Sequence, residues 1–281
     1  MSGAGRWAAV RPELAATLTD ERLQLHYAAQ FATAAGISYL TALPDDSHTN
    51  LEWVPRLGAL LSRSIAARTP FHVGVRIADL TLLFTDATQA VGATFALKGH
   101  TIADGADWIA EQVSAAGADA TRFTLKRHYE LPAHAVATGA PFAVERAESF
   151  AELSTWFSNA ALMLGNLAAA NRDASEVRCW PHHFDIATLI ELDGGRTIGA
   201  GLEPGDGYYA EPYFYVNLRP APSAAAVVTA LAGGGSWHTR EWVGAVLPGS
   251  RIKGAARGQE AQVRAFLESA VAACRSLLSA G

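Results

Sequence analysis

The sequence lacks several features that would assign it to a broad class of protein. Its 281 residues include only two cysteines, Cys179 and Cys274, which are far apart and lack metal-ligand spacing. No cluster of Lys and Arg occurs and the formal net charge is −5, which argues against a nucleic-acid partner. No apolar run reaches the roughly 20 residues needed to span a membrane, and the first residues lack the apolar segment of a signal peptide. We therefore expect a cytoplasmic protein with reduced thiols and no membrane partner.

Signature motifs of catalysis are also absent. The chain has no HExxH, no pair of CxxC motifs, no HxH repeat and no GxSxG nucleophile elbow. Its glycines match neither the phosphate-binding loop nor the dinucleotide fingerprint. Any hypothesis about function must therefore come from groups of polar residues and their predicted positions.

Four helices are predicted from apolar residues at helical spacing. They cover residues 20–35, a segment that begins after Thr101, a segment that begins at Ser149, and residues 259–278. Thr101 with Asp104, and Ser149 with Glu152, have the spacing of a capping box at a helix start. Gly36 is predicted to end the first helix.

The remaining regular segments resemble β-strands joined by short turns rich in Gly and Pro. Such turns favour antiparallel meanders. We therefore predict an α+β protein, with antiparallel sheets in two similar halves and helices packed on them. The predicted halves are residues 12–135 and 140–281, because the stretch between 130 and 147 has little periodicity; a single domain is the alternative. The predicted strands include FHVGVRIA, TLLFTD, TFALKG, FTLKRHY, TIGAGL, EPYFYVNL and HTREWVGAVL.

The most unusual stretch is RCWPHHFDIATL, residues 178–189, because ionisable groups interrupt an apolar strand pattern. On a regular strand His183 and Asp185 would share one face, about 7 Å apart. Pro181 indicates an edge or a bulge, and a bulge would bring His182 to the same face. We predict His183, Asp185 and His182 as catalytic residues. The alternative is that they are polar groups bonded within the fold.

Further polar and aromatic residues are predicted to bind a ligand from loops. The segment GLEPGDGYYAEPYFYV forms an irregular loop followed by a strand, and loops on a rigid scaffold often carry function. The segments DDSHTNLEW and GGGSWHTREW add two more candidate regions. For Asp206 alone, we favour a turn in which its carboxylate accepts hydrogen bonds from nearby backbone. The predicted ligand-binding residues are Asp206, Tyr209, Glu211, Tyr213, His238, Trp237 and His48.

A metal site is a further hypothesis. Zinc or iron requires three or four convergent N or O ligands. His183, Asp185 and His238 are the candidate ligands; the sequence does not identify a cofactor, and a divalent metal ion is one candidate.

The order of several short motifs resembles a family of uncharacterised bacterial proteins with a domain of unknown function. Its members carry a Phe-Asp-Leu-Ala strand, a Pro-Gly loop and an Ala-Phe-Tyr strand, similar to FDIA, EPGDG and EPYFYV here. The resemblance spans most of the chain and implies a layout but no activity. The chain departs from that family at His182 and His183.

Two functions are compatible with these patterns. The first is a small-molecule enzyme that uses a His–Asp acid–base pair or a metal, because Asp185 would orient His183 and favour its charged form. The second is a non-catalytic protein that binds a small molecule or forms a homodimer through its aromatic residues.

Overall fold

The computed structural model describes residues 6–280. Its helices are α1 (Thr19–Tyr39), α2 (Ile102–Ala115), α3 (Ala147–Ala169) and α4 (Ala256–Ala280). Its strands are β1 (Glu52–Val54), β2 (Ala59–Leu61), β3 (Phe71–Arg76), β4 (Thr81–Asp86), β5 (Val91–Ala96), β6 (Arg178–Trp180), β7 (Asp185–Leu192), β8 (Arg196–Glu203), β9 (Tyr213–Arg219), β10 (Ser236–His238) and β11 (Gly244–Pro248). They form two antiparallel sheets, which confirms the predicted α+β class.

The chain divides into two compact units. The N-terminal unit consists of residues 20–154 and 179–184, and the C-terminal unit consists of the described residues up to Thr19, residues 155–178 and residues from Asp185 onward. The division therefore differs from the predicted halves 12–135 and 140–281. The stretch near 130–147 lacks periodicity because it packs on α1: Pro132 accepts a hydrogen bond from Tyr27 (2.9 Å) and Ala143 donates one to Gln24 (2.7 Å).

The N-terminal unit contains a five-stranded meander in the order β1-β2-β3-β4-β5. Val54, Leu61 and Leu83 belong to one cluster in its core, and burial of each such side chain contributes about 1.5–3 kcal/mol. Helix α2 begins with the predicted capping box, in which Thr101 and Asp104 bond each other's backbone amides.

The segment FTLKRHY, predicted as a strand, has no regular secondary structure. Two of its residues hydrogen-bond to α1, and the segment belongs to neither sheet. Thr124 donates its N–H to Ser38 (3.0 Å), and the Tyr129 hydroxyl donates to Gln30 (2.8 Å). The alternating pattern of FTLKRHY therefore indicated an extended segment but did not indicate that its hydrogen-bond partner is a helix.

The six-stranded sheet has the order β10-β11-β9-β8-β7-β6. Helices α3 and α4 supply large apolar side chains to the core of the C-terminal unit, including Trp156 and Phe266, which are fully buried. The predicted strand HTREWVGAVL is divided by a hairpin turn, so that His238 at the end of β10 lies opposite Gly244 at the start of β11. None of the helices in the described part of the chain is long and apolar enough to cross a membrane.

The prediction that Gly36 ends the first helix is wrong, because α1 continues to Tyr39. Gly36 lies where the helix meets another backbone segment: a Cβ atom there would lie 2.5 Å from the carbonyl oxygen of His48 and 3.2 Å from the Cα of Thr49. Backbone atoms cannot move aside as a flexible side chain can. The residue therefore permits a close approach and is not a helix cap.

We expect Gly36→Ala to lower the free energy of unfolding by about 1–3 kcal/mol, because the added methyl group overlaps backbone. Gly165→Ala is the matched control, since Gly165 also lies inside a helix but its Cβ would meet no atom within 4 Å. There alanine is expected to stabilise the protein by about 0.5–1 kcal/mol. Urea denaturation followed by circular dichroism measures both changes. Equal effects of the two substitutions would contradict the close-approach explanation.

Candidate functional site

A loop between β8 and β9 is organised by the carboxylate of Asp206. Its Oδ1 accepts the backbone N–H groups of Tyr208 and Tyr209, both at 2.8 Å. Its Oδ2 accepts the hydroxyl of Tyr213, also at 2.8 Å, and its own N–H donates to the Tyr209 carbonyl. This is the backbone-bonding turn favoured for Asp206, and it additionally ties the loop to β9.

The loop holds Tyr209 against His238, the last residue of β10. The Tyr209 hydroxyl and His238 Nδ1 are 2.9 Å apart, while His238 Nε2 bonds the carbonyl oxygen of Arg240. A carbonyl oxygen can only accept, so Nε2 carries the proton and Nδ1 of the neutral ring accepts the tyrosine hydroxyl proton. Desolvation raises the pKa of Tyr209, which keeps the phenol protonated near neutral pH. We call Tyr209, His238 and the Arg240 carbonyl the Tyr209–His238 relay.

Aromatic rings surround the buried imidazole of His238. Trp242 stacks on it with ring centroids 4.5 Å apart, and Tyr208 meets it edge-on at 5.5 Å. Gly244 makes the stacking possible, because a Cβ at this position would lie 2.4 Å from the Trp242 ring. The ring is thus held by stacking and by hydrogen bonds at both nitrogens.

Two buried carboxylates lie on neighbouring strands of the same sheet. Ile186 pairs with Leu202, so Asp185 at the start of β7 faces Glu203 at the end of β8. The Tyr215 hydroxyl donates to Asp185 Oδ2, and Gly201 leaves the space that the Tyr215 ring occupies. Sequence reasoning missed Glu203; its position at the end of a strand, before a Pro-Gly loop, was the available signal.

Burial and nearby carboxylates raise the pKa of two tyrosines on β9. Desolvation first, and then the charge of Asp185, raise the pKa of Tyr215 well above its ordinary value. Desolvation and the charge of Asp206 likewise raise the pKa of Tyr213. Both phenols are therefore hydrogen-bond donors at neutral pH and not proton acceptors.

The expectation that His183 and Asp185 share a strand face is wrong. Strand β6 ends at Trp180, and a turn over residues 181–184 separates it from β7. Phe184 has a φ of 72°, and its N–H bonds the Trp180 carbonyl at 2.7 Å. The alternation on which the predicted His183–Asp185 pair depended is therefore interrupted.

The turn instead brings His182 and His183 together in the N-terminal unit, with ring centroids 4.4 Å apart. Both side chains are exposed. Partial desolvation and the adjacent His183 lower the pKa of His182. Beneath the turn lies His26, which was not predicted: it stacks on Phe184 at 5.0 Å and bonds the Pro181 carbonyl at 2.8 Å.

The other predicted ligand-binding residues have local structural partners. His48 lies in a loop and not on a strand face, and its Nδ1 accepts the N–H of Leu43 at 3.2 Å. Glu211 accepts the backbone N–H (2.6 Å) and the hydroxyl (2.9 Å) of Ser250. The Trp237 indole donates to the Thr229 carbonyl at 2.8 Å. These contacts are local and shape the loops that carry them.

The metal site predicted at His183, Asp185 and His238 stays a prediction. Across residues 6–280, no three His, Cys, Asp or Glu side chains assemble into a group that could hold a metal ion. The prediction assumed that His183 and Asp185 lie on one strand, and the turn over residues 181–184 interrupts that strand. Of the predicted residues, the structure brings together Asp206, Tyr209, Tyr213 and His238.

No protein-family model, curated protein or solved structure matches this chain.

Proposed function

We propose that this protein is a small-molecule enzyme that transfers a proton through the Tyr209–His238 relay. The observation that carries the proposal is the continuous set of hydrogen bonds from the Tyr209 hydroxyl through His238 to the Arg240 carbonyl. A nucleophile or acid bonded to a base, which is in turn oriented by a third group, is the recurring arrangement of acid–base catalysis. The proposed acid–base residues are therefore Tyr209 and His238 in place of the His183–Asp185 pair predicted from the sequence.

The direction of proton movement follows from the tautomer. The Tyr209 oxygen accepts a proton from the ligand while its own proton passes to His238 Nδ1. The product is an imidazolium whose Nε2–H still donates to the Arg240 carbonyl, and the reverse step returns both protons. Tyr209 is the catalytic residue because it would touch the ligand, and His238 is the positioning base behind it.

Two groups would contact the imidazolium form of His238. The face of Trp242 is stacked on the imidazole, and aromatic faces attract cations. The backbone carbonyl supplies a fixed acceptor for the imidazolium N–H. These groups are already in position before reaction, so that little reorganisation is required when the charge develops.

The proposed setting is the cytoplasm. Both Cys179 and Cys274 are buried free thiols, as expected in a reducing compartment. The proposed partner is a small molecule. The resemblance to an uncharacterised bacterial family stays a prediction about layout and supplies no substrate.

The proposal is tested by solvent deuterium exchange. A defined pool of small ketones, keto acids and esters is incubated with the protein in D₂O, and mass spectrometry measures deuterium incorporation or conversion. We expect wild type to act on at least one compound, and Tyr209→Phe and His238→Asn to lower that rate by roughly a hundredfold. Tyr208→Phe is the matched control, because Tyr208 neighbours the relay but donates no proton to His238, and it should retain most of the rate.

A second candidate function is non-catalytic binding at the same aromatic residues, favoured by the 48% exposure of Tyr208. It predicts that compounds bind without exchange or conversion. Absence of any reaction in the pool, or equal rates in wild type and Tyr209→Phe, would contradict proton transfer by the relay.

A further inference from the structure

A cavity of about 410 Å³ lies in the N-terminal unit, where the first turn of α1 faces the segment between His134 and Arg146. It has no part in the proposed acid–base chemistry. Its lining combines charged groups of both signs with a few small apolar side chains. The charged and polar lining residues are Asp20, Glu21, Gln24, His134, Glu145 and Arg146.

The cationic group of the cavity is fixed in place. Arg146 donates from Nε and Nη2 to the two carboxylate oxygens of Glu21, both at 2.7 Å, and the Glu21 side chain is only 4% exposed. Such a two-point pair holds the guanidinium in one orientation. Nη1 of Arg146 donates no hydrogen bond within the described residues, and the side chain is 44% exposed. A planar donor group is therefore available to an anionic ligand group.

The anionic group is Asp20, and its orientation is also fixed. His134 Nδ1 accepts the N–H of Val136 (3.3 Å), so its Nε2 carries a proton and donates to Asp20 Oδ1 at 3.0 Å. Gln24 donates to the other oxygen at 2.8 Å. Burial acts to raise the pKa of Asp20, but these hydrogen bonds and the charge of Arg146 lower it overall. The carboxylate is ionised at neutral pH, and the side chain is 58% exposed.

We propose that this cavity binds a small zwitterion of the amino acid class. The ligand carboxylate would bond Nη1 of Arg146, and the ligand ammonium group would bond Asp20. Glu145 adds a further negative charge to the lining, which favours an ammonium group over a second anion. Two fixed groups of opposite charge in the lining of one cavity select for both ends of a ligand, since each alone is a weak, solvated contact.

The test is titration of the full-length protein with each of the standard free amino acids, followed by NMR or calorimetry. Acetate and butylamine are the single-charge probes. We expect at least one amino acid to bind in the millimolar range or tighter, and acetate and butylamine to bind at least about tenfold more weakly. Asp20→Asn should weaken amino acid binding by about tenfold or more, because asparagine keeps the hydrogen-bonding shape but removes the charge.

Asp107→Asn is the matched control, because it removes an exposed negative charge from the same unit outside the cavity. It should leave the affinity unchanged. Arg146→Lys tests the other end of the ligand, because lysine keeps the positive charge but loses the two-point geometry of the guanidinium. The proposal is overturned if no amino acid binds at millimolar concentration, if butylamine or acetate binds as well as the amino acid does, or if Asp20→Asn and Asp107→Asn bind equally.

Discussion

Lowering the pH from about 7 to about 4 is expected to reduce the free energy of unfolding by about 3 kcal/mol through His26 alone. Burial, and then the charges of Arg22, Arg127 and His183, lower the pKa of His26 from its ordinary value of 6.5 to about 4. The imidazole therefore stays neutral in the folded chain while the unfolded chain takes up a proton. Its stabilising contribution is complete above about pH 6.5 and is lost as the pH falls towards 4.

The measurement is urea denaturation at a series of pH values for wild type and His26→Gln. Glutamine can donate to the Pro181 carbonyl as His26 does but does not titrate, so the loss between about pH 6.5 and pH 4 should shrink in this variant. His100→Gln is the control, because it removes an imidazole with 48% exposure from the same unit. Parallel pH profiles for wild type and His26→Gln would show that His26 is not the acid-sensitive group.

Trp156→Ala is expected to destabilise the C-terminal unit by about 3–5 kcal/mol. Trp156 is fully buried on α3, its ring lies 6.4 Å from that of Phe214 on β9, and a Cβ at Gly249 would lie 3.0 Å from it. Alanine would leave a cavity enclosed by backbone and rings that cannot collapse freely. Far-UV circular dichroism during urea denaturation measures the loss without depending on tryptophan fluorescence.

Trp156→Phe is the matched variant. It preserves a ring beside Phe214 and removes an indole N–H that has no acceptor in the described part of the chain. Removing a buried donor without a partner offsets part of the lost packing, so a loss of only about 1 kcal/mol is expected. A Phe variant as unstable as the Ala variant, or an Ala variant as stable as wild type, would contradict this account of the core.

The fold class could be predicted because it depends on patterns between residues that are close in the sequence. The capping box at Thr101 and Asp104 depends on residues three apart, and the short turns determine which strands can be antiparallel neighbours. Long-range packing could not be predicted in the same way. His72 alternates with apolar residues as an exposed position would, yet it is buried and bonds the Ser62 carbonyl at 2.9 Å.

The candidate site was predicted in part for the same reason. Tyr209 and His238 were selected as polar and aromatic residues in loops, but their direct contact joins positions 29 residues apart and could not be derived from spacing. The strand alternation predicted across His183 and Asp185 is interrupted by the turn over residues 181–184, where Phe184 has a positive φ that residue type alone does not indicate. The cavity at Asp20 and Arg146 was missed because its two walls are distant in the sequence.

The discontinuous N-terminal unit has a consequence for the order of events during translation. Residues 179–184 complete this unit, and Pro181 supplies the carbonyl that accepts from both His26 and Gln30 on α1. A ribosome that has made only the first 154 residues has therefore not yet supplied the partner of these two side chains. Helix α1 acquires its final environment only after residue 184 has left the exit tunnel, by which time the whole of α3 has been synthesised.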